Sequence, residues 1–319
     1  MDLAEGKLSS DKHASCSGLP ALFGESLHET RNEYFQSRLD ARAGKNVRSE
    51  KGIYAEMGDI LENPILQKAV EKLNLINLEK NITEAVRHKD YPLQGSIDGI
   101  AEAPNLIIKP DNDLIFTEDD EDIHLMGKGI LEAKATSMQP ETNQKPPLWR
   151  GVLQVKGLMA ITGYSWAAIA TLYRSTNLKL CLYKRDFDFE NKLKDTIIDF
   201  EKRLANKDYY PPVTLKDTSI LYPQADPELQ ADLDNEEATA LCDQITNCKE
   251  QKKILDDVET KAQIRLQELM GNAGVGINDK YKITWGSKTF RPQPEKTIPA
   301  KEGYTIRNKT ITVRKFKNE

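Results

Sequence analysis

Two short motifs carry acidic and basic side chains at spacings that suit a metal-dependent hydrolytic site. Asp98 precedes a glycine in an apolar segment, and Glu132 and Lys134 stand two residues apart in the run Gly-Ile-Leu-Glu-Ala-Lys-Ala. Residues two apart on a strand share one face, so a strand over 129–135 presents Glu132 and Lys134 together. A third carboxylate, Glu62, falls in a segment with helical spacing of apolar residues.

These side chains offer the ligands that hard divalent cations take, which are carboxylate and carbonyl oxygens. Asp98, Glu132 and the backbone carbonyl of Ala133 could hold Mg²⁺, and Glu62 could complete the shell directly or through water. The same oxygen set suits Mn²⁺ but not zinc. A bound cation polarises a phosphate oxygen and acidifies a water, which Lys134 could then orient or deprotonate.

A plainer interpretation of both motifs is decoration of the surface. Glu-x-Lys is a common charge pair on solvated strands, and Asp-Gly is a common turn signal. The apolar surroundings of the Glu-x-Lys strand favour a functional site instead, because unpaired charges are costly to bury there.

The elements that must position these residues follow from the apolar periodicity and the turn residues. Helices are predicted over 58–73, 149–163, 189–204 and 237–270, and strands over 129–135, 166–173 and 178–183. A hairpin is predicted over 95–108, with Asp98 on its first strand and a turn at Pro104-Asn105. A short capped helix is predicted over 15–24. The acidic stretch 110–122 reads as an exposed loop around one short strand at 114–116.

The composition, 39% hydrophobic and 30% charged over 319 residues, is typical of a globular protein, and the mixture of helices and strands predicted above indicates the α/β class. No run is apolar and long enough to span a membrane, since the best candidate, 158–173, is too short. The four cysteines form no CxxC pair, which favours a reducing cytoplasm and argues against zinc. The net charge of −5 hides acidic runs and a basic tail over 307–317.

Composition shifts divide the chain into three parts. Residues 1–222 form the predicted core, 223–272 a long helical segment that could form a coiled coil, and 273–319 a small basic β tail with strands over 281–291 and 304–316.

Four separated motifs resemble the YqaJ-type viral recombinase family, the phage lambda exonuclease-like branch of the PD-(D/E)xK nuclease superfamily. They are Asp-Ile-Leu-Glu-Asn-Pro at 59–64, Ser-Ile-Asp-Gly at 96–99, Leu-Glu-Ala-Lys at 131–134 and Gln-Val-Lys-Gly-Leu-Met at 154–159. The resemblance runs over residues 13–212. It implies a restriction-endonuclease-like core, in which a mixed central sheet is flanked by helices, followed here by the long helix and β tail.

The resemblance also implies an activity and a set of roles. It implies a Mg²⁺-dependent exonuclease that degrades the 5′-ended strand of linear double-stranded DNA and leaves a 3′ overhang for a single-strand-annealing protein. Processive relatives form rings, which implies a homo-oligomer with a trimer favoured. Asp98 and Glu132 correspond to metal ligands, Lys134 to the catalytic lysine, Glu62 to the helix carboxylate, and Gln154 to a residue beside the site.

Two further positions, Ser15 and Ser17, correspond to a segment that approaches the 5′ end of DNA in relatives. The alternative for these two serines is an ordinary helix cap. The alternative for Gln154 is a polar residue on an amphipathic helix.

The chain also departs from the family pattern in two places. The segment between Asp98 and Glu132 is longer and more acidic than in the family. Its carboxylates could add a metal ligand or merely decorate an insertion, and we favour decoration. These carboxylates are Asp113, Glu118 and Asp120. A tyrosine typical of the helicase-linked branch is Leu158 here.

Two other functions remain open. A structure-selective or restriction-like endonuclease uses the same phosphodiester chemistry, and a non-catalytic DNA-binding scaffold could retain the fold. The intact Asp98, Glu132 and Lys134 set argues against the scaffold.

Overall fold

The computed structural model of the chain describes residues 10–48, 52–111 and 113–286. The described residues form seven α-helices: Leu19–Phe23 (α1), Arg31–Arg42 (α2), Ile53–Leu73 (α3), Leu153–Thr162 (α4), Phe187–Asn206 (α5), Leu215–Leu221 (α6) and Glu236–Met270 (α7). They form eleven strands: Ala14–Ser15 (β1), Ile76–Lys80 (β2), Val86–Arg87 (β3), Leu93–Gly95 (β4), Gly99–Ile108 (β5), Ile115–Thr117 (β6), Ile123–Thr136 (β7), Trp166–Tyr173 (β8), Asn177–Lys184 (β9), Val275–Ile277 (β10) and Lys282–Thr284 (β11). A 3₁₀ turn at Cys16–Gly18 precedes α1.

A six-stranded mixed sheet in the order β2-β5-β7-β8-β9-β6 forms the centre of the first unit. The pairs β7–β8 and β6–β9 are parallel, and the other neighbours are antiparallel. Strands β1, β4 and β3 form a smaller sheet. The predicted fold class, a mixed central sheet flanked by helices with a long helix and a small sheet after it, is confirmed.

Apolar clusters cover both faces of the central sheet because successive side chains on a strand point to opposite faces. Ile130 on β7 belongs to the cluster that α4 and α5 complete, and its neighbour Leu131 belongs to the cluster that α3 completes. Glu132 therefore lies on the same face as Ile130. This alternation aims Glu132 and Lys134 toward α4.

The predicted hairpin over 95–108 is wrong. Strand β5 runs without a reversal from Gly99 to Ile108 and pairs with β7 along its length, with a register shift between Ala103 and Leu106. Asn105 has a positive φ of 65°, so Pro104-Asn105 makes a bulge rather than a turn. Asp98 consequently lies just before the strand, not within it.

The predicted helix over 149–163 begins later than the apolar pattern indicates. A kinked turn at Leu148–Val152 precedes α4 and contains non-helical backbone at Arg150 and Gly151, where φ is 90° at the glycine. The helix itself runs over Leu153–Thr162 and is followed by Gly163, whose φ is 76°. The kink aims the first turn of α4 at β7.

The acidic stretch after β5 forms one short strand, β6, which is the edge of the central sheet beside β9. Its carboxylates are tied to lysines: Asp113 to Lys179, Glu118 to Lys156, and Asp120 to Lys145. All three carboxylates are exposed, and ion pairs at exposed positions contribute little to stability.

The chain divides into two compact units, 1–221 and 222–319. In the second unit α7 starts one residue before its predicted start, and none of its residues is buried. Strands β10 and β11 form a two-stranded antiparallel sheet. The predicted strand over 304–316 and the basic tail lie outside the described residues. Among the helices that the structure describes, none has the length and apolar character needed to span a bilayer.

Candidate active site

Glu132 and Lys134 form a close ion pair on the α4-facing side of β7. The Lys134 Nζ donates to Glu132 Oε1 over 2.6 Å. The side chain of Glu132 is only 1% exposed, so this carboxyl has almost no water around it. Placing an acidic group there is costly unless it is paired or binds a cation.

Asp98 lies beside Glu132 because the antiparallel register pairs Gly99 with Leu131 and brings the residue before β5 level with Glu132. Its Oδ2 accepts a hydrogen bond from the backbone N–H of Ala133 over 3.0 Å. A main-chain bond from the neighbouring strand therefore fixes the Asp98 carboxylate at the site.

The two carboxyl groups influence each other electrostatically. Burial, followed by repulsion from Asp98, raises the pKa of Glu132 to about 8. Burial opposes the charged form of Lys134, but Glu132 and Asp98 favour it and raise the pKa of this lysine above its usual value. The lysine thus stays protonated, next to two carboxyl groups that are not easily ionised at the same time.

The second oxygen of Glu132 shows what this arrangement lacks. Glu132 Oε2 is buried and has no hydrogen-bond partner among the described residues. A divalent cation would bind this oxygen as a ligand and relieve the repulsion between Asp98 and Glu132. Mg²⁺ binds proteins through one or two carboxylates and keeps several waters, so this pair fits it. Across the described part of the chain, no group of three or more His, Cys, Asp or Glu side chains forms a fuller cage.

Two other predicted site residues act on Lys134, one by contact and one through its charge. Gln154, in the first turn of α4, offers its Oε1 to Lys134 Nζ at 3.3 Å. Glu62, half-buried on α3, contributes to raising the lysine pKa through its charge. The structure therefore brings Asp98, Glu132, Lys134 and Gln154 together, with Glu62 near enough to act on Lys134 through its charge. The roles of Asp98, Glu132, Glu62 and the Ala133 carbonyl as metal ligands stay predictions.

Ser15 and Ser17 lie on the segment before α1, outside this group of contacts. Their hydroxyl oxygens are 3.2 Å apart, and Ser15 also contacts the Tyr34 hydroxyl at 3.3 Å. Neither serine caps a helix with its side chain. The link to the site is Cys16 between them, whose thiol pKa is raised by burial and by the charge of Glu132.

Sequence reasoning missed Gly151, which packs against the ion pair. A Cβ built at this position would lie 3.3 Å from Lys134 Cε and 3.7 Å from Glu132 Cγ. The signal was the Trp-Arg-Gly run directly before an apolar helix, which we interpreted as helix.

A buried polar cluster after β7, also missed, fixes the segment that leads from the site to α4. Arg150 forms an ion pair with Glu141, and the Tyr173 hydroxyl donates to Glu141 over 2.6 Å. The Arg150 guanidinium lies 4.7 Å from the centre of the Trp149 ring. These contacts hold the kink that carries Gly151.

No family model and no curated protein matches the chain. Among solved structures, the chain is similar to the alkaline exonuclease LHK-Exo from Laribacter hongkongensis, at 14% identity and a TM-score of 0.44 over 62% of this chain and 90% of that one. A structure of LHK-Exo in complex with dAMP gives 14% identity and a TM-score of 0.47, over 61% and 89%. A phage-related exonuclease from Haemophilus somnus gives 15% identity and a TM-score of 0.43, over 60% and 93%.

Proposed function

We propose that this chain is a Mg²⁺-dependent deoxyribonuclease, a phosphodiester hydrolase that acts as an exonuclease on double-stranded DNA. The observation that carries the proposal is the buried carboxyl of Glu132, whose Oε1 pairs with Lys134 while its Oε2 has no hydrogen-bond partner among the described residues. The order of the four sequence motifs supports the same activity through their resemblance to the YqaJ-type family.

In this proposal Asp98 and Glu132 hold the cation, with Glu62 and the Ala133 carbonyl as further oxygen ligands, directly or through water. Mn²⁺ substitutes because it accepts the same ligands. When bound, such a cation polarises a phosphate oxygen and lowers the pKa of a coordinated water.

Lys134 supplies the cationic group beside the reacting phosphate. Its raised pKa keeps it protonated at neutral pH, so its first role is to orient the attacking water and offset negative charge that develops on phosphate. Gln154 Oε1 accepts one N–H of Lys134 and fixes the direction of the ammonium. The buried position of Glu132 limits competing water.

The finer parts of the proposal follow from the family resemblance. They are 5′-to-3′ polarity, 3′ overhangs for a single-strand-annealing partner in phage-type recombination, a ring-shaped homo-oligomer with a trimer favoured, and a bacterial or phage-infected cytoplasm. Ser15 and Ser17 are assigned to the DNA end that enters the site.

The test is digestion of linear DNA labelled separately at its 5′ and 3′ ends, with covalently closed circular DNA as the control substrate. We expect mononucleotide release from the 5′-ended strand in Mg²⁺ or Mn²⁺ and none in chelator. Ca²⁺ should bind yet support little cleavage, because its larger and looser shell positions water poorly.

Each alternative has its own outcome in this assay. Nicking of the closed circle identifies an endonuclease. Metal-dependent DNA binding with no cleavage of either substrate identifies a scaffold protein, and full activity in chelator or with Zn²⁺ alone refutes the proposed chemistry.

A further inference from the structure

Thr171 lies next to Lys134 on the neighbouring strand and has no partner for its hydroxyl. The parallel register of β7 and β8 pairs Lys134 with Thr171, and residues paired in this way point to the same face. The side chain is 1% exposed, and its Oγ1 has no hydrogen-bond partner among the described residues. An unpaired buried hydroxyl destabilises a folded protein, so its presence requires a reason.

The neighbour of Thr171 on the other side already has acceptors. The antiparallel register of β8 and β9 pairs Thr171 with Lys179. The ammonium of Lys179 donates to the backbone carbonyl of Asp113 and lies 5.6 Å from the centre of the Phe116 ring. Lys179 is thus bound to the segment that leads into β6, whereas Lys134 is the neighbour of Thr171 that belongs to the candidate site.

The ammonium of Lys134 can donate one more hydrogen bond than it makes to the described residues. An ammonium has three N–H donors, and within the described residues Lys134 donates to Glu132 Oε1 at 2.6 Å and Gln154 Oε1 at 3.3 Å. A divalent cation on Glu132 would draw electron density from that carboxylate and repel the ammonium by like charge. Both effects favour a bond from Lys134 to a neutral oxygen away from the cation.

We propose that Thr171 is a positioning residue for Lys134, whose hydroxyl accepts a hydrogen bond from the ammonium when Asp98 and Glu132 hold a cation. The inference rests on the proposed nuclease function. The Thr171 hydroxyl, which has no partner among the described residues, is then the acceptor that the cation-bound site uses.

The test compares Thr171→Val with Thr171→Ser and with a matched control, Thr117→Val. Thr117 is also 1% exposed, but its hydroxyl donates to the Glu121 carbonyl over 2.8 Å. Each protein is assayed for kcat and KM on linear DNA in Mg²⁺, and for its thermal unfolding midpoint in chelator. Valine keeps the shape of threonine and removes only the hydroxyl.

We expect Thr171→Val to unfold at or above the wild-type midpoint, because it loses no hydrogen bond of the metal-free state. Its kcat should fall about tenfold or more with little change in KM, since a hydrogen bond to a charged group is removed. Thr171→Ser should keep most of the wild-type kcat. The control should show the reverse pattern, a lower midpoint with an unchanged kcat.

Three results would overturn the inference while leaving the nuclease assignment intact. They are a wild-type kcat in Thr171→Val, a Thr171→Ser variant as slow as Thr171→Val, and a midpoint for Thr171→Val as low as that of the control. A wild-type protein that cleaves no DNA in Mg²⁺ overturns the proposed function, and the role of Thr171 with it.

Discussion

At the scale of single residues, Glu132 and Lys134 depend on each other. The positive charge of Lys134 stabilises Glu132 at a position with almost no water, and the two carboxyls favour the charged form of the lysine. Removing one partner of a buried pair leaves the other uncompensated. Variants at this pair therefore need a stability measurement beside every activity measurement.

We expect Glu132→Gln and Lys134→Ala each to lower the cleavage rate by roughly 10²-fold or more, since each removes a group that acts on the transition state. The control is Lys128→Ala on the same strand, because Lys128 makes an exposed ion pair with Glu79. Circular dichroism should show an unchanged fold in all three. Wild-type rates in either site variant would show that the buried pair has only a structural role and does not act in cleavage.

The raised pKa of Glu132 predicts how stability changes with pH. Its value rises from 4.5 to about 8 in the folded protein, so between these values the folded state binds a proton that the unfolded state has released. The free energy of unfolding must then fall as pH rises through this window. Below the window both states are protonated, and above it the loss is complete.

Glu132→Gln removes this titration, so in chelator its unfolding midpoint should exceed the wild-type midpoint at about pH 9 and approach it near pH 5. Added Mg²⁺ at the higher pH should raise the wild-type midpoint and leave the variant nearly unchanged. A constant difference between the two proteins from pH 5 to 9 would contradict the assignment of this carboxyl as the titrating group.

At the scale of elements, the kink before α4 places Gln154 and Gly151 against the ion pair. Gly151 combines a positive φ with a close approach to Lys134, so alanine there is strained in its backbone and also pushes on the lysine. Gly127 has a φ of 69° and nothing within 4 Å of an added Cβ. Comparing alanine at the two positions therefore separates the effect of backbone strain from the effect of a Cβ that pushes on Lys134.

We expect Gly151→Ala and Gly127→Ala each to destabilise the protein by about 1–2 kcal/mol, the usual cost of a left-handed alanine. Only Gly151→Ala should also lower kcat in Mg²⁺, because only that Cβ displaces Lys134. Thermal unfolding and single-turnover cleavage check the two effects separately. Equal kcat values in both variants would mean that the kink does not set the lysine position.

The elements also show which parts of the fold the sequence could predict. Helices α3, α5 and α7 and strands β7 to β9 follow from apolar periodicity, because each presents a regular buried or amphipathic face. The hairpin prediction failed because Pro104-Asn105 carries the local signature of a turn, while Ile107 and Ile108 continue pairing with β7. The long-range pairing overrides the turn signal.

The site residues also divide into those that the sequence could predict and those that it could not. Asp98, Glu132 and Lys134 could be singled out because their residue types and spacing match those of a metal-dependent hydrolytic site, and the structure brings them together. Thr171 and Gly151 were not, because their importance lies in the register of β8 against β7 and in one backbone angle. Neither property is expressed by a local sequence pattern.

At the scale of the whole molecule, the first unit contains everything that the proposed chemistry uses. Every residue of the two apolar clusters lies between Ala14 and Tyr210, within the unit 1–221. The 35-residue helix α7 of the second unit has no buried residue. Neither apolar cluster contains a residue of α7.

We therefore expect a chain truncated after Pro223 to remain soluble, to unfold cooperatively close to the wild-type midpoint, and to release mononucleotides in Mg²⁺ with a kcat similar to that of the full chain. The truncated Glu132→Gln variant is the control for contaminating nucleases. If the second unit acts in assembly or in DNA contact away from the candidate site, truncation should raise KM or shorten the tract digested per binding event, because the site itself is intact. Light scattering beside the digestion assay separates these two roles, since only assembly changes the mass in solution. An insoluble or non-cooperatively unfolding truncation would show that α7 belongs to the main core and that the domain boundary near residue 222 is wrong.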